Sequence, residues 1–276
     1  MLPWAPDAED ARRLGAWWTP PSPLEDAAVM SRLLLLGVLL GAAMFGTALG
    51  GPLKETAECA VSILDGCGRA FIPFANTTRM AETQQELKEQ CTLHFKQLRC
   101  ARNFTTNCAT GLPRVAAVLA LDAADENIEA VCTPRTELHM MYNSAVRCLN
   151  KVGVQMNACM RDLVINLNTA VARAPIESQV AYGCCYYYDL LGCYNDALTG
   201  CSGTEAHRLV ATLAENVFGQ TLGLVCGVYT KGSPACRALE PLKKLDVSEL
   251  DTENFIVPLV TIAGTLRHSK VVRRHL

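Results

Sequence analysis

Two groups of side chains hold nearly all the chemical potential of this 276-residue chain: fourteen cysteines and a run of tyrosines. Tyr182-Gly183-Cys184-Cys185-Tyr186-Tyr187-Tyr188-Asp189 puts four phenols and a carboxylate beside a cysteine pair, and Tyr194 follows. A phenol with an ordinary pKa of about 10 is a poor base at neutral pH. The cluster therefore reads as aromatic surface, either packed beside disulfides or forming a ligand-contacting wall. Tyr182, Tyr186, Tyr187, Tyr188 and Tyr194 are the contact candidates. The histidines, His94, His139, His207, His268 and His275, do not form an HExxH pair, and disulfide sulfurs cannot serve as thiolate ligands. No phosphate-binding loop, dinucleotide fingerprint or nucleophile elbow occurs. The acids Asp122, Asp125, Glu126 and Glu129 lack the order of a calcium loop and read as a solvated helix face. No catalytic residue, metal site or cofactor is expected.

The cysteine spacing carries the strongest signal. Cys59, Cys67, Cys91, Cys100, Cys108 and Cys132 read C-x7-C-x23-C-x8-C-x7-C-x23-C, and Cys148, Cys159, Cys184, Cys193, Cys201 and Cys226 read C-x10-C-x24-C-x8-C-x7-C-x24-C. Matched positions are offset by 89, 92, 93, 93, 93 and 94 residues, and Phe95 falls opposite Tyr188, Leu98 opposite Leu191 and Val131 opposite Val225. This is a tandem duplication, with one module over 51–136 and a second over 137–236. Cys185 and Cys236 are left over and are expected to pair with each other. Six cysteines allow about fifteen pairings, among which spacing does not choose. A loop-closing scheme gives Cys67–Cys91, Cys108–Cys132 and Cys59–Cys100, with Cys159–Cys184, Cys201–Cys226 and Cys148–Cys193 as counterparts.

Between the cysteines the apolar period is helical. Leu87, Cys91, Phe95 and Leu98 share one face, opened by Thr83 with Glu86 completing a capping box. Pro113 opens another helix, which Pro134 closes. Thr136–Ala172 holds one long helix or two, and Ala181–Leu198 and Glu205–Val225 supply two more. Alternating β-branched runs are scarce. The expected fold is all-α: helices stapled in antiparallel pairs, arranged as two tandem six-cysteine modules.

Composition bounds the rest. Half the residues are hydrophobic, 19% are charged and the formal charge is −2, which excludes a disordered polymer and a basic nucleic-acid binder. Residues 33–49, LLLLGVLLGAAMFGTAL, follow Met30, Ser31 and Arg32, and Ala48 and Gly50 suit cleavage after Gly50. Residues 30–50 thus read as a signal peptide, and 1–29 as an extension preceding a start at Met30. The alternative is an uncleaved anchor, which the acidic preceding segment supports poorly. Every cysteine follows the cleavage point, as an oxidising compartment favours. Asn76-Thr77-Thr78 and Asn103-Phe104-Thr105 are glycosylation acceptors. Residues 237–276 form a cysteine-free tail: Phe255–Leu266 is apolar but too short to span a bilayer, and Arg267, Lys270, Arg273 and Arg274 follow it.

The stretches ELKEQCTLHFKQLRCARNFTTNC (86–108), ENIEAVC (126–132) and YDLLGCYNDALTGC (188–201) resemble a family of secreted arthropod haemolymph glycoproteins, the twenty-seven-kilodalton type. The resemblance implies extracellular fluid, glycosylation and an all-helical fold, and carries over no functional residue. In secreted phospholipases A2 a cysteine pair precedes a His-Asp pair; here Tyr188 takes the place of that histidine, and no glycine-rich calcium loop precedes it. The expected function is a secreted, non-enzymatic binding protein that carries a small apolar ligand. The alternative is a structural or protein-interaction module of extracellular fluid, acting through its surface or basic C-terminus. Nucleic acid and, after signal cleavage, a membrane span are not expected.

Overall fold

In the first module a long antiparallel hairpin follows directly from where the helices can start and stop. The computed structural model describes residues 56–67, 72–219, 225–250, 252 and 255–269. The extension 1–29, the signal segment 30–50 and the basic residues Lys270, Arg273 and Arg274 lie outside them. Helix α1 is Val61–Cys67, α2 Gln84–Cys108 and α3 Gly111–Cys132. Thr83 accepts from the Glu86 amide while the Glu86 carboxylate accepts from the Thr83 amide, the expected capping box. The α2 stripe of Leu87, Cys91, Leu98, Ala101, Thr105 and Cys108 is buried. Ala109 leaves the helix in extended geometry, and Gly111, at φ 63°, makes the left-handed turn that reverses the chain into α3.

The second module opens with two helices where the sequence left one or two open: α4, Glu137–Lys151, and α5, Gly153–Arg173. Val152, at φ −103° and ψ 8°, interrupts them. Helix α6 is Gln179–Ala197, continued by a 3-10 turn over Leu198–Cys201. Helix α7, Ala206–Ala214, widens into a π turn over Glu215–Gly219. The one-turn α8, Pro234–Arg237, and α9, Ile256–Gly264, follow. No strand occurs among the described residues, so the fold is all-α. No helix there is long and apolar enough to cross a membrane.

Seven disulfides account for all fourteen cysteines. Cys185–Cys236 forms as expected, but the loop-closing scheme is overturned at all six other bridges. The bonds are Cys59–Cys108, Cys67–Cys100 and Cys91–Cys132, then Cys148–Cys201, Cys159–Cys193 and Cys184–Cys226. Helix length explains the correction. Cys108 precedes α3 and Cys132 ends it, so 22 residues of helix, about 33 Å at 1.5 Å per residue, separate them. Cys132 instead meets Cys91 near the far end of the antiparallel partner. Cys100 and Cys108, further along α2, tie it to α1 and to the turn before α1. Both sets are wired alike, first cysteine to fifth, second to fourth, third to sixth.

Cys59, Cys67 and Cys108 enclose a small cluster with Leu64, Ala101 and Phe104, but the first module also contributes to the main core of the second. Phe74, Met80, Leu87 and Cys91 share one buried cluster with Tyr142, Leu149, Met156, Leu163 and Leu167 of α4 and α5. Burying each such large side chain contributes about 1.5–3 kcal/mol. The segment 72–82 crosses over α4 and α5 and is held there by side-chain amides. Asn150 bonds both the amide and the carbonyl of Met80, at 2.7 and 3.0 Å. Asn157 donates to the Phe74 carbonyl at 2.8 Å, and the Tyr142 hydroxyl to that of Ala81 at 2.7 Å. On the other side, Asn216 donates to Asn127 of α3 at 2.7 Å. Helix α9 packs against α1, α3, α5 and α6. Its Ile262 enters the main cluster, while Ile256 and Val260 pack on Cys59, Leu64 and Phe104 of the first module. The tail thus begins as a docked element.

Candidate functional site

The tyrosine-rich sequence lies on α6, and a helix cannot turn five residues at 182, 186, 187, 188 and 194 to one side. At about 100° per residue, Tyr182 and Tyr186 stack one turn apart, while Tyr187 and Tyr194 point nearly opposite to Cys185 and Asp189. Tyr182 and Tyr186 have ring centroids 6.0 Å apart, with planes tilted by 36°. Tyr187 meets Phe218 edge-on at 5.5 Å and Tyr188 at 5.7 Å. Tyr194 packs on the main core. The five contact candidates therefore separate: Tyr182, Tyr186 and Tyr188 line one cleft, and Tyr187 and Tyr194 do not.

The cleft has a volume of about 260 Å³, is open to solvent, and lies between α6 and the segment 230–242. The Cys185–Cys236 bridge joins its two walls, with Cα atoms 5.7 Å apart. Cys236 is placed by α8, which Ser233 caps by accepting from the Cys236 amide at 3.2 Å and which carries Pro234 at its first turn. Leu239, Pro241 and Leu242 face the tyrosines. The Tyr182 hydroxyl donates to the Glu240 carbonyl at 2.6 Å, a second tie between the walls. Arg237 lines the cleft and donates to the Gly232 carbonyl.

Burial sets the electrostatics. It lifts the Tyr182 phenol above its ordinary value, with Glu240 adding to the effect. Burial, then Tyr182 and Asp189, push the Tyr186 phenol up to about 12. Burial also lifts the Asp189 carboxyl, and the Lys244 ammonium works against that. At neutral pH Tyr182 and Tyr186 are un-ionised phenols, which offer π faces and O–H donors but no base. His139 Nδ1 donates to the Val131 carbonyl at 2.7 Å and His207 Nε2 to that of Leu198 at 2.9 Å, so both rings tie up helix ends. Among the described residues no three His, Cys, Asp or Glu side chains gather to hold a metal ion.

Both sequon asparagines, Asn76 and Asn103, are exposed. Asn103 lies within α2, and the Thr105 that completes its acceptor is 5% exposed. Transfer at Asn103 therefore requires the chain before α2 packs, whereas Asn76, Thr77 and Thr78 are all exposed.

The opposite wall, Arg237 to Leu242, was not among the contact candidates. The signal for it lay in the expected Cys185–Cys236 bond, which brings residue 237 beside residue 186. Comparison with models of protein families, with curated proteins and with solved structures finds no match for the chain. The haemolymph glycoprotein resemblance rests on the cysteine-bearing stretches alone.

Proposed function

We propose that this protein is an extracellular, non-enzymatic binding protein that carries a small ligand in the cleft between α6 and segment 230–242. The observation that carries the reading is a cleft walled by Tyr182, Tyr186 and Tyr188 whose two sides are bonded together by Cys185–Cys236. A cross-linked site keeps its shape when empty, so binding loses little free energy to ordering the walls. Its volume lies just below the common range for drug-sized ligands, about 300–1,000 Å³, which suits a smaller molecule resting its apolar body on the tyrosines. Seven disulfides with no free cysteine suit an oxidising, extracellular setting.

The test is purification from a secreting host without denaturant, organic extraction and mass spectrometry. A stoichiometric small molecule that is lost from Tyr186→Ala supports the proposal. Absence of any extractable molecule, together with no uptake of small apolar probes by the full chain, refutes it.

A second reading, a protein-interaction surface, draws on Val115 and Leu119. They are one turn apart on α3, and each is more than half exposed. The tail cannot be tested by removing residues 255–276, because Phe255, Pro258, Ile262 and Leu266 are buried. Val115→Lys with Leu119→Lys leaves the core intact, and loss of partner capture in that variant favours the second reading.

A further inference from the structure

We infer that Lys243-Lys244 is a processing site. An endoprotease with adjacent acidic pockets for two cations cuts the chain after Lys244 and leaves α9 held to the body without a covalent bond. This does not depend on the cleft being a binding site. Three observations meet at the pair. The first is charge: among the described residues, 243 and 244 are the only neighbouring positions that are both Lys or Arg. An acidic pocket selects a cationic side chain beside the scissile bond, and two such pockets select the pair. The second is shape. Residues 240–246 form neither helix nor turn, whereas most of the other described lysines and arginines stand on helices. Proteolytic nicking favours exposed, irregular chain that an enzyme can bind in extended form. Lys243 and Lys244 are both exposed, between the half-buried Leu242 and Leu245. The Leu245 amide donates to Thr169 Oγ1 at 3.1 Å, a side-chain bond that is exchanged for contacts with the enzyme. The third is wiring. No cysteine follows Cys236, so a cut after Lys244 frees everything downstream from the cross-linked body. A cut inside either cysteine set leaves its pieces joined by sulfur. In the reaction water adds across the Lys244–Leu245 bond: the C–N bond breaks, Lys244 gains a carboxylate and Leu245 a free amine. Helix α9 then stays seated through Phe255, Ile262 and Leu266 in the main cluster and Val260 on the first-module cluster. The product is two packed chains, and the second leaves by displacement without reduction.

The experiment treats the full disulfide-bonded chain with an endoprotease specific for paired basic residues and, separately, with trypsin at a limiting ratio. The expected result is one early cut with Leu245 as the new N-terminus by mass spectrometry, about tenfold faster than the next tryptic cut. The two pieces should co-elute in native size exclusion and part in denaturant without reductant. Lys243→Gln with Lys244→Gln should remove the early cut and leave thermal unfolding unchanged, because both side chains are exposed. Lys243→Arg with Lys244→Arg should retain it. A native chain that resists the paired-basic protease at a dose that cuts the reduced, unfolded chain overturns the assignment. A first cut elsewhere overturns it too, whether at Arg135, exposed in a turn at φ 74°, or at Arg273-Arg274. Pieces that separate at once in native buffer contradict the seating of α9 after cleavage.

Discussion

At Gly153 the two cysteine-rich segments pack tightly against each other, and replacing it probes their union directly. A Cβ there would sit 1.9 Å from the Thr78 carbonyl oxygen, 2.9 Å from the Thr78 carbonyl carbon and 3.2 Å from Phe74 Cε1. The first two atoms are backbone and cannot swing aside as a side-chain tip does. Thr78 must retreat by about 1.5 Å to regain van der Waals separation. Segment 72–82 is pinned on both sides of that point by Asn157 and Asn150, so the retreat strains or breaks those hydrogen bonds. Overpacking costs about 1–3 kcal/mol, and each lost hydrogen bond about 1 kcal/mol. Gly153→Ala is therefore expected to destabilise by about 2–4 kcal/mol, lowering Tm by about 5–15 °C for a domain of this size. Thermal unfolding followed by circular dichroism gives the magnitude. Hydrogen exchange locates it: protection is expected to fall over 72–82 and at the start of α5, and to persist in α3. Gly66→Ala is the control. Nothing lies within 4 Å of a Cβ there, and alanine in a helix is favoured over glycine by about 0.5–1 kcal/mol, so it should be neutral or stabilising. A Gly153→Ala protein as stable as the parent, or equally destabilised in both variants, refutes the close-packing argument.

Three further expectations concern the cap, the phenols and the bridges. Thr83→Ala removes half of the α2 capping box and should cost about 1 kcal/mol in denaturant unfolding. The Arg79 guanidinium and the Thr83 and Glu82 amides hold the Glu86 carboxyl at about 2, below its ordinary 4.5. Its stabilising contribution is complete above pH 4.5 and lost as pH falls towards 2. Glu86→Gln should flatten that part of the stability profile, and an unchanged profile counts against the box. Tyr186 has the opposite sign: the fold favours the neutral phenol, so its contribution holds below about pH 10 and fades as pH rises through about 12. Ultraviolet titration should lose a late-ionising tyrosine in Tyr186→Phe. Proteolysis without reduction should release cross-linked peptides Cys59–Cys108, Cys67–Cys100 and Cys91–Cys132, together with Cys148–Cys201, Cys159–Cys193 and Cys184–Cys226. A Cys67–Cys91 or Cys108–Cys132 peptide from native protein contradicts the structure.

The helical fold was legible because its causes are local. Thr83 and Glu86 announce the start of α2, and the spacing of Leu87, Cys91 and Leu98 fixes its buried side before any tertiary contact is known. The pairing of the leftover cysteines was legible by elimination. The other bridges were not, because Cys91, Cys100 and Cys108 share one continuous helix and leave it in different directions, which spacing along the chain does not encode. Tyrosine density pointed to α6 but not to which side of it mattered. Helical rotation separates Tyr187 and Tyr194 from the cleft, and its other wall comes from residues 230–242, whose arrival depends on one long-range bond. The close approach of Thr78 to Gly153 left no trace in periodicity, since a glycine opening a helix looks the same whether or not a neighbouring backbone presses on it.

Helix α9 has a consequence for the order of assembly during synthesis. All partners of the first six cysteines have been made once Cys132 has left the ribosome, so that set can sort itself among about fifteen arrangements before the next thiols emerge. The second set repeats the exercise. Helix α9 follows both, and only its arrival joins Ile262 to one buried cluster and Val260 to the other. A chain halted before residue 256 would then be fully cross-linked and still unfinished. The last α-helix of the described fold contains no sulfur, yet it is the one that packs on both buried clusters.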